Sequence, residues 1–376
     1  MATQVTNFQC PACTGPLQFD GASGKLKCDY CGSYFTVQEI EGLYEGKMED
    51  AAAQPQQTPH VQEQETPSTD GDWNWDTAGS DWAEEAAHLK TYNCPSCGAE
   101  LICEETTVAT SCPYCGNPTV VPGQFNGMLK PDYILPFKLD KEAAVKALRE
   151  YYHGKKLLPK AFSHENHIEE VKGVYVPFWL FDGRCEADMS FTATKVRSYT
   201  TGNQRITETD HYQVRRSGTV SFHRIPVDGS RKMPDAHMDA IEPYDYSALK
   251  PFSAAYLPGF LAEKYDVDAD ESERRANRRA VNTADEIVRS TVTGYSTVSQ
   301  TSRDIRMIRG DVKYAMMPVW LLATRWHGKS FLFAMNGQTG KMIGDLPTST
   351  ALYWSWFARV AVPIAAAAAA LLHFFA

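Results

Sequence analysis

Eight of the ten cysteines fall into two quartets of the same spacing, Cys10-x2-Cys13-x14-Cys28-x2-Cys31 and Cys94-x2-Cys97-x14-Cys112-x2-Cys115, displaced by 84 residues. Two Cys-x2-Cys knuckles joined by a short hairpin bring four thiolates to the corners of a tetrahedron, which is the ligand set of a structural zinc ribbon. Pro and Gly stand where a knuckle has to turn its backbone amides toward a metal, as in Cys94-Pro-Ser-Cys97-Gly, Cys112-Pro-Tyr-Cys115-Gly and Cys28-Asp-Tyr-Cys31-Gly. The expected cofactor is Zn2+, two per chain. Rubredoxin-like iron is the rival, because four thiolates at two knuckles bind iron as well. A disulfide framework needs an oxidising compartment, and residues 1–10 have neither the basic start nor the apolar core of a secretory signal. A thioredoxin-type redox pair occurs singly at a strand–helix junction and not in matched pairs. Cys103 takes the place of Phe19 in the other copy, so it reads as a small core residue, and Cys185 reads as an inert buried thiol.

The elements that must position these thiolates divide the chain into a zinc ribbon at 1–36, an acidic disordered linker at 37–90, a second ribbon at 91–122, an α+β domain at 123–347 and a membrane anchor at 348–376. In the α+β part, Asp140 caps a helix whose apolar face is Ala144, Ala147, Leu148 and Tyr151, and a second helix is expected from about 270 to 289. Strands are expected at 174–181 and 187–196, a hairpin around Ser217-Gly218, and a closing hairpin around Asn336-Gly-Gln-Thr-Gly340. Val171-Lys172-x4-Pro177-x-Trp179-Leu180 recurs as Val312-Lys313-x4-Pro318-x-Trp320-Leu321, which points to a duplicated unit with pseudo-two-fold symmetry. Since Pro cannot donate to a ladder, both strands are expected to start near these prolines.

Charge is unevenly placed. Residues 36–90 hold thirteen carboxylates against Lys47 and Lys90, a net charge of −11, while the whole chain carries −9. The remainder is close to neutral, and ribbon 2 has no Lys or Arg between Tyr92 and Val121. Such ribbons lack the basic footprint that phosphate backbones require, which argues against nucleic acid as a partner. The acidic segment has almost no aliphatic residues and reads as disordered. It also carries Trp73, Trp75 and Trp82 among carboxylates, either as a docking motif for a basic groove on a partner or as side chains folded back onto this chain.

No P-loop, GxGxxG, HExxH or GxSxG is present, and no catalytic constellation is read from the sequence. His164 and His167 lack a further ligand at useful spacing. Arg274, Arg275, Arg278 and Arg279 read as a solvated face, with Asp270 and Glu271 paired to Arg274 and Arg275 at i, i+4, and with lipid phosphates, an acidic partner or the acidic linker as alternatives. The last residues are Tyr353-Trp-Ser-Trp-Phe-Ala-Arg359 followed by an apolar, Ala-rich run. From Val360, seventeen residues at ~1.5 Å each span roughly 25 Å, near the ~30 Å of a hydrocarbon core. Aromatic residues and Arg359 at its head suit an interface, and the positive charge before the run keeps the bulk of the chain in the cytoplasm, as a single-pass tail anchor in the cell membrane.

The two ribbons, the paired Pro-x-Trp-Leu stretches, Leu135-Pro-Phe-Lys-Leu, Gly173-Val-Tyr-Val-Pro-Phe-Trp-Leu-Phe, Asn336-Gly-Gln-Thr-Gly-Lys-x-x-Gly-Asp-Leu-Pro347 and the apolar tail together resemble a bacterial family. It is the family of membrane-anchored, TFIIB-type zinc-ribbon proteins associated with SPFH/flotillin-like and phage-shock envelope-stress proteins. The resemblance covers most of the chain outside 40–87. It implies a non-enzymatic scaffold or adaptor that recruits protein partners at the cytoplasmic face of the membrane, with SPFH/flotillin-like or phage-shock proteins as the expected partners. A transcription-related nucleic-acid binder and an iron electron carrier are the alternatives.

Overall fold

The computed structural model describes residues 10–13, 17–28, 31–40, 42, 73–80, 82, 89–104, 112–115, 121–123, 129–159, 161–162, 171–327 and 329–375. Its strands and helices follow in chain order. Ribbon 1 supplies β1 (Leu17–Asp20), β2 (Lys25–Cys28) and β3 (Tyr34–Phe35); ribbon 2 supplies β4 (Leu89–Asn93), β5 (Glu100–Glu104) and β6 (Val121–Gly123). The body follows with β7 (Tyr133–Ile134), α1 (Lys141–Tyr152), β8 (Lys172–Thr201), β9 (Gln204–Asp228), α2 (Asp235–Ile241), β10 (Lys250–Pro251), β11 (Leu261–Glu263), α3 (Ala269–Ser290), β12 (Thr297–Trp326), β13 (Lys329–Asn336) and β14 (Met342–Gly344). Last comes α4 (Thr350–Phe375). The architecture is α+β, as expected.

The body is a duplicated β-α-β-β unit. The first copy is β7-α1-β8-β9 and the second β11-α3-β12-β13. Their long strands β8 and β12 pair antiparallel, with Val176 opposite Met317, and these two residues are equivalent in the repeat. A pseudo-two-fold axis therefore runs between them. Equivalent contacts follow on both sides of it. Trp179 Nε1 donates to the carbonyl of Val267 at 2.9 Å and Trp320 Nε1 to that of Leu139 at 3.1 Å. Each acceptor lies just before an N-cap aspartate, Asp268 of α3 and Asp140 of α1, whose side chain accepts from the third residue on. The Gly229 amide donates to Pro177 and the Gly337 amide to Pro318. The short strands are exchanged across the axis: β7 of the first copy runs parallel to β12, and β11 of the second runs parallel to β8.

This pairing explains why Pro177 and Pro318 lie inside 30-residue strands and not at their starts. On one edge of β8, β11 pairs up to Tyr175 and β9 begins at Phe178. On β12, β7 pairs up to Met316 and β13 begins at Val319. Each proline stands in the gap between two strands that share an edge, where the ladder asks for no N–H. The hairpin expected at Ser217-Gly218 is also absent. Both residues lie inside β9, opposite Asp188 and Ala187, and the turn comes at Gly202, whose φ is +63°.

The central strands are buried on both faces, so they read as continuous apolar runs and not as alternation. On one face Tyr175, Trp179, Phe181, Tyr314, Met316 and Trp320 pack against Ala144 and Leu148 of α1 and Ala276, Ala280 and Ala284 of α3. On the other, Val174, Val176, Phe178, Leu180, Met317 and Val319 pack against Met238 and Ile241 of α2 and against ribbon 2. Beyond this centre β8, β9 and β12 continue as an arm, where Met189, Phe191 and Val214 cover Val288 in the last turn of α3 and Val292 just after it.

Neither ribbon is a separate head. β5 joins β11 with Ile102 opposite Ala262, so ribbon 2 is part of the main sheet. Ribbon 1 keeps its own three-stranded sheet, but Leu17, Phe19 and Leu26 belong to the body's core. The Phe19 amide donates to Pro258, and its ring meets Tyr256 edge-on at 5.2 Å. A side chain at Gly21 would come within 2.5 Å of the Phe137 carbonyl.

The acidic segment is not wholly a free linker. Residues 73–80 lie along β12, with Asn74 bridged to Asp311, its amide donating to Gly310, and Thr77 Oγ1 donating to Val312. Trp73 and Trp82 are buried and Trp75 half-buried against the body. The partner-docking reading of these tryptophans is therefore corrected to an intramolecular one. Trp73 donates to Asn277 Oδ1 at 2.9 Å and meets Phe181 edge-on at 4.9 Å; Trp82 meets Phe252 at 5.4 Å. Apolar area accounts for the correction: three indoles carry enough of it to dock a segment that is otherwise polar.

Candidate metal centres

Each quartet converges as its spacing predicts. In ribbon 1 the Sγ atoms of Cys10 and Cys31 lie 3.5 Å apart and those of Cys13 and Cys28 3.4 Å. In ribbon 2 the pairs Cys94–Cys115 and Cys97–Cys112 are each separated by 3.6 Å. Within a quartet all four sulfurs lie within 4.8 Å of one another. A tetrahedral ion at ~2.3 Å from each sulfur places them about 3.8 Å apart, so both clusters fit one four-coordinate metal.

The knuckles build this geometry from glycine and backbone bonds. Gly32 and Gly98 follow Cys31 and Cys97 with φ of +72° and +68°, a region glycine enters without strain. Gly32 donates to the Cys28 carbonyl and Gly98 to that of Cys94, both at 2.8 Å. Cys28 and Cys94 in turn donate to Ser33 and Ala99 at 2.9 Å. The second knuckle of ribbon 1 and the first knuckle of ribbon 2 thus make the same turn.

The electrostatics suit a bound cation. Burial pushes the Cys97 thiol up to about 11 and that of Cys112 higher still. Burial also acts on Cys94, but backbone amides of Cys97 and Ser96 outweigh it and bring the thiol down to about 7. At the exposed end of ribbon 1, hydrogen bonding to Ser33 holds Cys31 near 6. Four thiolates in this space are stable only around a positive charge. All four positions are filled by protein, so the centres are closed.

Ribbon 2 carries a polar latch that sequence reasoning missed. The Tyr114 hydroxyl, in the Cys112–Cys115 knuckle, donates to Glu263 Oε2 at 2.5 Å, and Ser230 donates to Oε1 at 2.8 Å. Glu263 is 1% exposed. Burial raises its carboxyl to about 8, against the two hydroxyls that favour the ionised form. It occupies the position of Leu135 in the other repeat; the signal was one Glu in the apolar run Leu257-Pro-Gly-Phe-Leu-Ala-Glu263.

Cys103 is a buried core residue of ribbon 2, and Cys185 is buried with its thiol raised to about 11 by desolvation. The arginine run is corrected in part. Arg275 pairs with buried Asp228 at 2.6 Å and with Asp235 and Asp239, while Arg279 pairs with Glu242 and Asp239. These two guanidiniums tie α3 to α2 and are not a lipid site; Arg274 and Arg278 are exposed. His164 and His167 lie outside the described residues. α4 is long and apolar enough to cross a membrane, and none of its apolar window is buried.

The chain is similar to the uncharacterized protein YdjG of Bacillus subtilis (strain 168). The two are 32% identical over 320 residues, which takes in 72% of this chain and 94% of the relative. No family model and no solved structure matches. The chain belongs to the family of this relative.

Proposed function

We propose that this member of the YdjG family is a non-enzymatic scaffold, stabilised by two zinc ions and anchored by α4, that presents protein-docking surfaces at the cytoplasmic face of the membrane. The observation that carries the reading is the place of the two sulfur clusters. Cys10 and Cys28 lie in the core on one face of the sheet, and Cys94 and Cys112 in the core on the other. Closed, four-thiolate centres built into both cores serve stability and leave no position for a substrate. The ribbons thereby contribute to a rigid body, and are not mobile heads on a linker. The resemblance to TFIIB-type ribbon proteins supports SPFH/flotillin-like or phage-shock proteins as the partners.

The test is elemental analysis of the purified full chain, combined with alkaline extraction of membranes. About two zinc ions per chain and retention in the extracted membrane are expected. Purified protein without metal overturns the reading, and a red, iron-loaded chain replaces it with an electron carrier. Crosslinking in membranes then separates scaffold from isolated structural protein. An SPFH-type or phage-shock partner should be captured by the native chain and lost with the fold in a Cys94→Ser, Cys97→Ser variant.

A further inference from the structure

The loop after α1 meets the base of α4. The Ser349 amide donates to the Leu157 carbonyl at 3.0 Å, which fixes the start of α4 beside residues 153–159. Lys156 Nζ lies 4.1 Å from the centre of the Trp356 ring, and the Arg359 guanidinium lies 5.8 Å from the same ring. Lys155 lies 5.0 Å from the Tyr151 ring. Both lysines are exposed. Tyr353, Trp354 and Phe357 are exposed on the first turns of the helix, at 51%, 63% and 53%.

Aromatic residues at the head of a membrane helix sit at headgroup depth. From Val360 to Phe375 the helix measures about 24 Å at ~1.5 Å per residue, so the hydrocarbon needs all of it and the aromatic turns stand in the interface. Cation–π contact then puts Lys156 and Arg359 at that same depth. Lys155 is its chain neighbour. Among the described residues, Lys156 and Arg359 meet the Trp356 ring and Lys155 the Tyr151 ring, the last turn of α1 carries Arg149 and Glu150, and Asp345 lies 3.5 Å from His237.

We propose that Lys155 and Lys156, with Arg359, form a basic, aromatic collar that seats the body on an anionic lipid surface. The collar binds lipid phosphates, so the body is held against the bilayer and does not swing freely on α4. Of these three cations, the sequence places only Arg359 at the interface, because the lysines lie about 200 residues earlier and only the fold brings them there. The proposal rests on α4 spanning the membrane.

Its test uses the full chain in nanodiscs of phosphatidylcholine, with or without phosphatidylglycerol. Acylation rates of Lys155 and Lys156 are read by mass spectrometry against Lys195 and Lys250, which lie on other elements. Protons are enriched at an anionic surface, and this enrichment should slow both collar lysines about threefold to sevenfold in the anionic discs. Salt at 0.5 M should bring the rates together, and inorganic phosphate in neutral discs should give no protection. Equal rates in both lipids, or protection by free phosphate, overturn the collar while leaving the anchor intact. Loss of the chain from the discs at alkaline pH overturns the anchor and the collar with it.

Discussion

Trp73 decides whether the acidic segment is a docked part of the fold or a free arm. Its indole is 4% exposed, hydrogen-bonded to Asn277 and set edge-on against Phe181. Trp73→Ala should therefore cost about 3–5 kcal/mol, as for other large-to-small core changes. At roughly 2–4 °C per kcal/mol, the midpoint of thermal unfolding should fall by about 6–20 °C. A second variant makes the reasoning sharper. A Cβ at Gly183 would lie 2.9 and 3.1 Å from the Cη2 and Cζ3 atoms of Trp73. An indole has no flexible end to yield, so Gly183→Ala should cost about 1–3 kcal/mol by overpacking. In the Trp73→Ala background the new methyl enters vacated space, and the two changes should couple by at least about 1 kcal/mol. Unfolding of the full chain in micelles, followed by far-UV circular dichroism, measures all four corners of the cycle. If Trp73→Ala shifts stability by less than about 0.5 kcal/mol and the pair is additive, the segment is not docked. The tryptophans then return to being a partner motif.

Three further outcomes follow from the packing. Glu263 has a native value near 8, above its ordinary 4.5, so the folded chain binds the extra proton. Its contribution is full below about pH 4.5 and is lost as pH rises through 8; Glu263→Gln should flatten this part of the stability–pH curve, and an unchanged curve refutes the assignment. A Cβ at Gly310 would lie 1.6 Å from the Asp182 carbonyl, so Gly310→Ala should cost about 3 kcal/mol or more in urea unfolding. Cys112→Ser should remove one zinc per chain and speed amide exchange in β11, since β5 and β11 share a ladder; unchanged exchange there makes ribbon 2 an independent module.

What the sequence made legible was local. Knuckle spacing places four sulfurs within one turn of backbone on each side, so the quartets were read correctly without knowing the fold. The caps at Asp140 and the helix near 270–289 were legible for the same reason. The long strands were not. Ser217-Gly218 resembles a turn, and only the partner residues Asp188 and Ala187 on β8 keep it extended. Pro177 and Pro318 resemble strand starts, and only the exchange of β7 and β11 creates the gaps that admit them. The arginine pairs are also long-range, with Arg275 reaching Asp228 across 47 residues.

The repeat shows what is particular to the seat of ribbon 2. Leu135 and Glu263 hold equivalent positions, after β7 and at the end of β11. Leu135 is buried among apolar neighbours and needs no partner. Glu263 is buried as deeply, and an unpartnered carboxyl there would be strongly destabilising. Tyr114 and Ser230 supply the partners, and Tyr114 comes from the ribbon itself. Thus the polar substitution in one copy is tolerated only while ribbon 2 is folded against it. The metal proposed for ribbon 2 would hold its four thiolates together. Stabilisation by that metal would reach β11 through the knuckle tyrosine and through the β5–β11 ladder, and from β11 reach β8 at the centre of the sheet. The β5–β11 ladder and the Tyr114–Glu263 bond together tie ribbon 2 into the body, whereas ribbon 1 meets it through apolar contacts of Leu17, Phe19 and Leu26 and a backbone bond.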